Sequence, residues 1–310
     1  MQKIIEVRGL SKAFSNNLVL DDVSFDVEEG SVIGLIGRSG CGKTTLLNLL
    51  VGYLKPNKGG VYYKGTDVQK SNFDLLRNVG FAVQEGSFYK KLKVSENLNY
   101  FGKLYGLTKE EIKDRTSILL ENFGLSDASS ILGDNLSVGM QKRLDIACAL
   151  IHDPEVLLLD EPTANLDPVL RKNILWMIKK INETGTTIVL SSHMLEDVSS
   201  VCNKVLMINR KKVITFDSPE NLEFHFSGFN AIKLQSELGE YTNLISVLTS
   251  QGLIKNYKAH NDSLMLFTRD VKSTLKHINH YFSNSNDNLV HIDIVKPSLD
   301  TVFENVSNNK

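Results

Sequence analysis

Residues 4–7 and 18–27 alternate apolar and polar side chains, the period of half-buried strands, and Glu28-Glu29-Gly30 closes the second run as a turn. Val32–Ile36 is apolar throughout and predicts a buried strand that runs directly into a glycine-rich loop, after which Lys43–Leu50 reads as a helix. Residues 81–83 form another short apolar run. From 94 to about 151 the period is helical, with breaks near Gly106, Gly124 and Gly133. Val156–Leu159 is a fully apolar strand, Pro168–Glu183 a helix with proline at its first position, and 187–190 the next strand. Buried strands alternating with helices predict parallel βαβ crossovers and an α/β fold.

Beyond about residue 226 the pattern changes. Residues 231–234 read as strand, 241–250 as helix, 254–259 and 264–268 as two strands with a turn at Asn261-Asp262, 271–282 as helix and Leu289–Val295 as strand. That βαββαβ order is ferredoxin-like, with a polar loop at 283–288. Two domains are therefore expected, 1–226 and a small α+β domain over 227–310.

The 310 residues are 42% hydrophobic, ample for a packed core, and the formal net charge is -1. There is no global basic field for nucleic acid. Cys41, Cys148 and Cys202 lie far apart with no CxxC pair, a pattern suited to a reducing cytosol. No apolar run approaches the roughly 20 residues that cross a bilayer, and the first residues carry no secretory apolar stretch. A cytoplasmic chain is expected, with any membrane role arising through a partner.

Gly37-Arg38-Ser39-Gly40-Cys41-Gly42-Lys43-Thr44 fits G-x-x-x-x-G-K-[ST] in full, with a strand before it and a helix after it. Phosphate needs many donors at short range. Glycines let backbone N–H groups turn inward, and the helix N-terminus adds a favourable dipole. Lys43 supplies charge for the β- and γ-phosphates of ATP, and the Thr44 hydroxyl is a Mg²⁺ ligand. With Thr45, these residues form the candidate nucleotide-binding set. Cys41 sits at a free position of the pattern.

Val156–Leu159 delivers two acids, Asp160 and Glu161, at its end. Adjacent carboxylates repel, and a nearby metal makes sense of them. Asp160 is the candidate Mg²⁺ partner and Glu161 the candidate general base that polarises the attacking water.

Leu136-Ser137-Val138-Gly139-Met140-Gln141-Lys142-Arg143 resembles the signature of ABC ATPases, an L-S-G-G run opening a helix. Ser137 is a good N-cap, and the turn after it presents free N–H groups to an anion. The resemblance covers about residues 3–225, and further family motifs appear in order. Phe14 resembles the aromatic that stacks on adenine. Gln84 stands where the family places its Q-loop glutamine, a catalytic and Mg²⁺-contacting position. Asn165-Leu166-Asp167 looks like the D-loop, with Asp167 near the dimer seam, and His193 matches the switch histidine. The resemblance implies a P-loop NTPase of ABC type, with a RecA-like core, an antiparallel β subdomain and a helical subdomain over about 87–150. It also implies a head-to-tail dimer in which Ser137 and Gly139 face the partner's γ-phosphate.

Val138 departs from the pattern, because most signatures have glycine there. A β-branched residue does not readily take φ > 0, so either the turn is weakened or Gly139 alone makes the close approach. Met140 with Arg143-Leu144-Asp145 resembles the drug- and polysaccharide-exporter (ABC-2-type) branch, as do Val94-Ser95-Glu96-Asn97-Leu98 and the C-terminal Pro297-Ser298-Leu299-Asp300-Thr301-Val302-Phe303. That branch implies a membrane permease on a separate chain, a homodimeric ATPase and no nucleic-acid partner. The chain would then lie at the inner face of the cell membrane. The alternative is a soluble ABC ATPase acting on ribosomes or DNA, although the chain has one cassette, no sustained heptads and no basic patch. The C-terminal domain could support the dimer or sense a ligand. His277 and His280 read as a solvated helix face, and Trp176 as packing.

Overall fold

The computed structural model describes residues 2–70, 77–226, 230–254, 256–260 and 263–295. The expected turn at Asn261-Asp262 and the exporter-like segment Pro297 to Phe303 lie outside the described residues. The chain divides into two compact units, Met1–Pro219 and Glu220–Lys310.

In the first unit, β1 (Lys3–Phe14) and β2 (Asn17–Glu28) form a long antiparallel pair. β3 (Val32–Ile36) leads to α1 (Lys43–Leu50), followed by β4 (Lys58–Tyr63), β5 (Thr66–Asp67) and β6 (Val79–Ala82). The helical stretch resolves into α2 (Val94–Leu104), α3 (Lys109–Asn122) and α4 (Val138–Leu150). Gly106 and Gly124 follow α2 and α3 at φ 82° and 57°, left-handed positions that end a helix without a Cβ clash. Then come β7 (Val156–Leu159), α5 (Pro168–Glu183), β8 (Thr187–Ser192), α6 (Leu195–Val201), β9 (Lys204–Asn209) and β10 (Lys212–Asp217), and α7 (Pro219–Phe226) begins at the last residue of this unit and continues into the second.

The main sheet runs β10-β9-β3-β8-β7-β6, parallel except for β10. Every residue of β3, β7 and β8 is buried, as expected for strands covered on both faces. The second sheet, β2-β1-β4-β5, is antiparallel. Both sheets contribute to one apolar core, and Leu46, Leu47, Leu49 and Leu50 of α1 lie in it, each at most 1% exposed. Burial of that order stabilises by about 1.5–3 kcal/mol per leucine and fixes the helix that follows the glycine loop. Against β3, a Cβ on Gly34 would sit 2.0 Å from Val198 of α6, so only glycine permits that packing.

The second unit contains β11 (Asn230–Ser236), α8 (Thr242–Ser250), β12 (Asn256–His260), β13 (Ser263–Thr268), α9 (Val271–Ser283) and β14 (Leu289–Val295). Its sheet, β12-β13-β11-β14, is antiparallel in every pair, the ferredoxin-like order. Its core joins Ile232, Leu234 and Leu266 of the sheet to Leu244 and Leu248 of α8 and Ile278 of α9. No helix among the described residues is long and apolar enough to cross a membrane.

Candidate functional site

The parallel strands end in a common region, where their carboxyl termini deliver the candidate residues. β3 passes into the loop from Gly37. Gly40 and Gly42 adopt φ 78° and 107°, conformations that L side chains rarely take. A Cβ on Gly37 would lie 2.2 Å from the Cys41 sulfur and 2.6 Å from the Ile208 carbonyl, so the loop closes tightly on itself and on β9. Arg38, Ser39, Gly40 and Thr44 are exposed, Cys41 and Thr45 are half-buried, and burial raises the Cys41 thiol pKa.

Lys43 turns back under the loop. Its Nζ donates to the Gly37 carbonyl at 2.9 Å and pairs with Glu161 Oε1 at 3.2 Å, with both side chains less than a tenth exposed. Glu161 Oε2 meets His193 Nδ1 at 2.7 Å and accepts from the His193 backbone N–H at 3.3 Å. The backbone at Glu161 is left-handed, φ 48°. It is held there by Ser191, whose Oγ accepts from the Glu161 N–H at 2.9 Å and donates to Asp160 Oδ1 at 2.6 Å. β7, β8 and the glycine loop thus bring Lys43, Asp160, Glu161, Ser191 and His193 into one connected cluster. Among the described residues no three His, Cys, Asp or Glu side chains group as a metal site. The candidate oxygen donors named from the sequence are a hydroxyl, an amide and a carboxylate, at Thr44, Gln84 and Asp160.

The other sequence-derived candidates lie on or beside other elements of this unit. Phe14 ends β1 with its ring 46% exposed and Lys12 Nζ 5.0 Å from its centroid. Gln84 follows β6 and is exposed. Ser137 caps α4, accepting from the Met140 N–H at 3.3 Å. Val138 is the first residue of that helix and is not among the residues with positive φ, so its β-branch imposes no strain there. A Cβ on Gly139 would lie 3.1 Å from both Leu170 methyls of α5. Asp167 caps α5 through Val169 and Leu170 N–H groups at 2.9 and 3.0 Å, after Asn165 at φ 61°. Trp176 corrects its packing assignment. It is 59% exposed, with Lys180 Nζ 5.8 Å from the ring, because α5 turns that position away from the core.

A family model described as ABC transporter matches residues 20–164. The linearmycin resistance ATP-binding protein LnrL of Bacillus subtilis (strain 168) is 29% identical, covering 98% of this chain and 98% of its own length. The bacitracin transport ATP-binding protein BcrA of Bacillus licheniformis is 30% identical, covering 98% and 97%. The chain belongs to the ABC transporter ATP-binding subunits. The solved structure of MJ1267, an ATP-binding cassette of an ABC transporter in its ADP conformation, covers 71% of this chain and 93% of its own at TM-score 0.65 and 25% identity. As an ABC ATPase the chain binds ATP and hydrolyses it to drive transport.

Ser191 was not singled out from the sequence of this ABC ATPase. The available signal was a pair of hydroxyls, Ser191-Ser192, following the apolar run 188–190 just before His193. Ser191→Ala leaves a buried N–H and a carboxylate oxygen without their partner, which costs about 1–3 kcal/mol. The Glu161 backbone then loses its restraint, so kcat is expected to fall about ten-fold with a lower unfolding midpoint. Steady-state hydrolysis and thermal denaturation of the variant check both.

Asp145 of α4 is 1% exposed, and burial pushes its carboxyl up to about 6. Because the folded pKa lies above the unfolded value of 3.8, the folded state holds the proton more tightly. The cost of this carboxyl is absent below the unfolded pKa, grows as pH rises towards 6 and is complete above it. Asp145→Asn, which keeps an oxygen acceptor and removes the charge, is expected to stabilise the ABC ATPase by on the order of 2–3 kcal/mol at pH 8 and by roughly half as much at pH 5. Denaturant unfolding at the two pH values measures the difference.

Proposed function

We propose that this ABC ATPase is the motor of an ABC-2-type exporter, closing head-to-tail as a homodimer over two ATP molecules and acting on a permease carried by a separate chain. The observation that carries the hydrolytic part is the cluster of Lys43, Asp160, Glu161 and His193 at the carboxyl ends of parallel strands, the general location of ligand sites in open α/β sheets. The export part rests on the exporter-like segments around α2 and α4, and on similarity over nearly the full length to proteins named for antibiotic resistance and transport.

In this scheme the backbone from Gly37 to Thr45 and the Lys43 ammonium receive the phosphates, and Phe14 offers its exposed ring to the adenine. Thr44, Asp160 and Gln84 would hold Mg²⁺. Their oxygen donors suit a hard cation, and the fixing of one Asp160 oxygen by Ser191 orients that carboxylate. The ion supplies positive charge to the phosphate oxygens. Glu161 takes the proton of the attacking water, and His193 holds Glu161 in place. A polyphosphate carries more charge than one carboxylate, so it competes for Lys43 Nζ and releases Glu161 Oε1 for that task. Ser137 and Gly139 present the α4 N-terminus to the γ-phosphate bound by the second copy. The unit from Glu220 onward acts as an accessory domain. The chain sits at the inner face of the cell membrane through its permease.

The test is the dependence of hydrolysis on protein concentration and on Mg²⁺. A site shared by two copies gives a rate per subunit that rises with concentration until the dimer saturates, and that collapses when Mg²⁺ is chelated. A concentration-independent rate would count against the shared site, and a rate indifferent to chelation would remove the metal.

A further inference from the structure

Side chains in the first turns of α4 bond to backbone both near and far in sequence. Gln141 Nε2 donates to the Gly133 and Leu136 carbonyls at 3.1 and 3.3 Å. Arg143 Nη1 donates to the Phe123 carbonyl at 2.9 Å. Two further side chains reach the loop after β6: Lys142 Nζ donates to the Gln84 carbonyl at 2.9 Å, and Asp145 Oδ1 accepts from the Ser87 N–H. The loop is thus gripped at both ends, residues 84 and 87, by the helix that Ser137 caps.

An ordinary surface lysine makes no lasting bond, because its side-chain entropy outweighs a weak contact. Lys142 is half-buried, which restrains its stem, while its bond to the Gln84 carbonyl lies at an exposed position. Asp145 is more constrained still. Its Oδ2 is buried and without a hydrogen bond, and the Ser87 N–H on Oδ1 offsets part of the burial of the carboxyl. Evolution could have placed an apolar residue there at lower cost. What the polar pair provides is a fixed register between loop and helix.

We infer that Lys142 and Asp145 are positioning residues that clamp the 84–87 loop to α4, so that the Gln84 side chain and the Ser137–Gly139 helix end move as one piece. Both ends of that piece serve the reaction, Gln84 in its own subunit and the helix end across the dimer. Loosening the clamp leaves each end intact but lets them arrive at the phosphates independently. The turnover number suffers while ATP affinity, set by the Gly37–Thr45 loop, does not. The inference rests on the role given to Gln84 above.

Lys142→Met keeps the apolar stem and removes every donor, and Lys142→Arg keeps a donor. Asp145→Leu, of similar volume with no acceptor, breaks the other end of the clamp. On the purified full-length chain, Lys142→Met and Asp145→Leu are each expected to lower kcat about ten-fold with ATP affinity unchanged within about two-fold, and Lys142→Arg to recover most of the rate. The clamp is refuted if Lys142→Met retains kcat within about two-fold of the parent. It is equally refuted if affinity and unfolding midpoint fall in step with kcat and arginine gives no rescue, since that is a merely structural effect. Gln84→Ala is measured beside them. A normal rate there removes both the Gln84 assignment and the clamp, whereas a slow Gln84→Ala with a normal Lys142→Met removes the clamp alone.

Discussion

Glu161→Gln lowers kcat for ATP hydrolysis by about 10²–10³-fold and leaves ATP affinity within a few-fold of the parent. The amide is isosteric: its single oxygen can still accept from the Lys43 ammonium at the Oε1 position, and its NH2 then faces His193 Nδ1 as a donor at the Oε2 position. The geometry of the cluster therefore survives, and what is lost is a group able to take a proton. Ser191 continues to restrain the residue 161 backbone, since its bond is to the main chain. Single-turnover hydrolysis alongside equilibrium ATP binding separates the two quantities. A variant hydrolysing within about ten-fold of the parent would show that Glu161 orients water without serving as its base.

Lys43→Met is expected to act in the opposite manner, on binding first. The ammonium is the buried cation of the glycine loop, and charge-assisted hydrogen bonds to phosphate are among the strongest available to a protein. Its loss is expected to weaken ATP binding about 100-fold. It also removes the partner of a carboxylate that is 7% exposed. Breaking a buried pair from one side costs about 3–5 kcal/mol, a cost that the His193 contact at 2.7 Å partly offsets. The apo protein should accordingly unfold at a lower temperature than either the parent or Glu161→Gln. Calorimetry of the three proteins without nucleotide checks that ranking, and a Lys43→Met protein that matches the parent in both affinity and midpoint would rule the pair out as the centre of the site.

The parts of this molecule that announced themselves in the sequence are those whose physics is local. A strand that must be buried on both faces is apolar at every position, as in Val156–Leu159. A loop that must turn its N–H groups inward needs glycines where φ is positive, as at Gly40 and Gly42. The ferredoxin-like order of the second unit was legible from alternating periods, and its sheet pairs as that order requires. The first two strands are longer than their alternation suggests, because register shifts near Lys3, Val7, Leu10 and Lys12 break the period of two. β4 begins Lys58-Gly59-Gly60, residues of low strand propensity, and gains its pairing from β1.

Within the site, Lys43, Asp160 and Glu161 were legible because each follows its strand within a known pattern. Ser191, Lys142 and Asp145 were not. Each bonds to a group dozens of residues away, and nothing in a hydroxyl at a strand end, or in a lysine on a helix, records which distant backbone it will meet. Val138 imposes no backbone strain, because it opens α4 in an ordinary N-capped first turn without positive φ.

The most direct measurement is a pull-down of Glu161→Gln from native membranes in ATP and Mg²⁺, conditions that favour the closed dimer while hydrolysis is slow. A motor for export brings down a multi-span membrane protein in stoichiometric amount, and releases it or loosens its hold when the nucleotide is removed. Recovery of ribosomes or DNA repair factors, with no membrane protein, would contradict the export account and leave the ATPase standing alone.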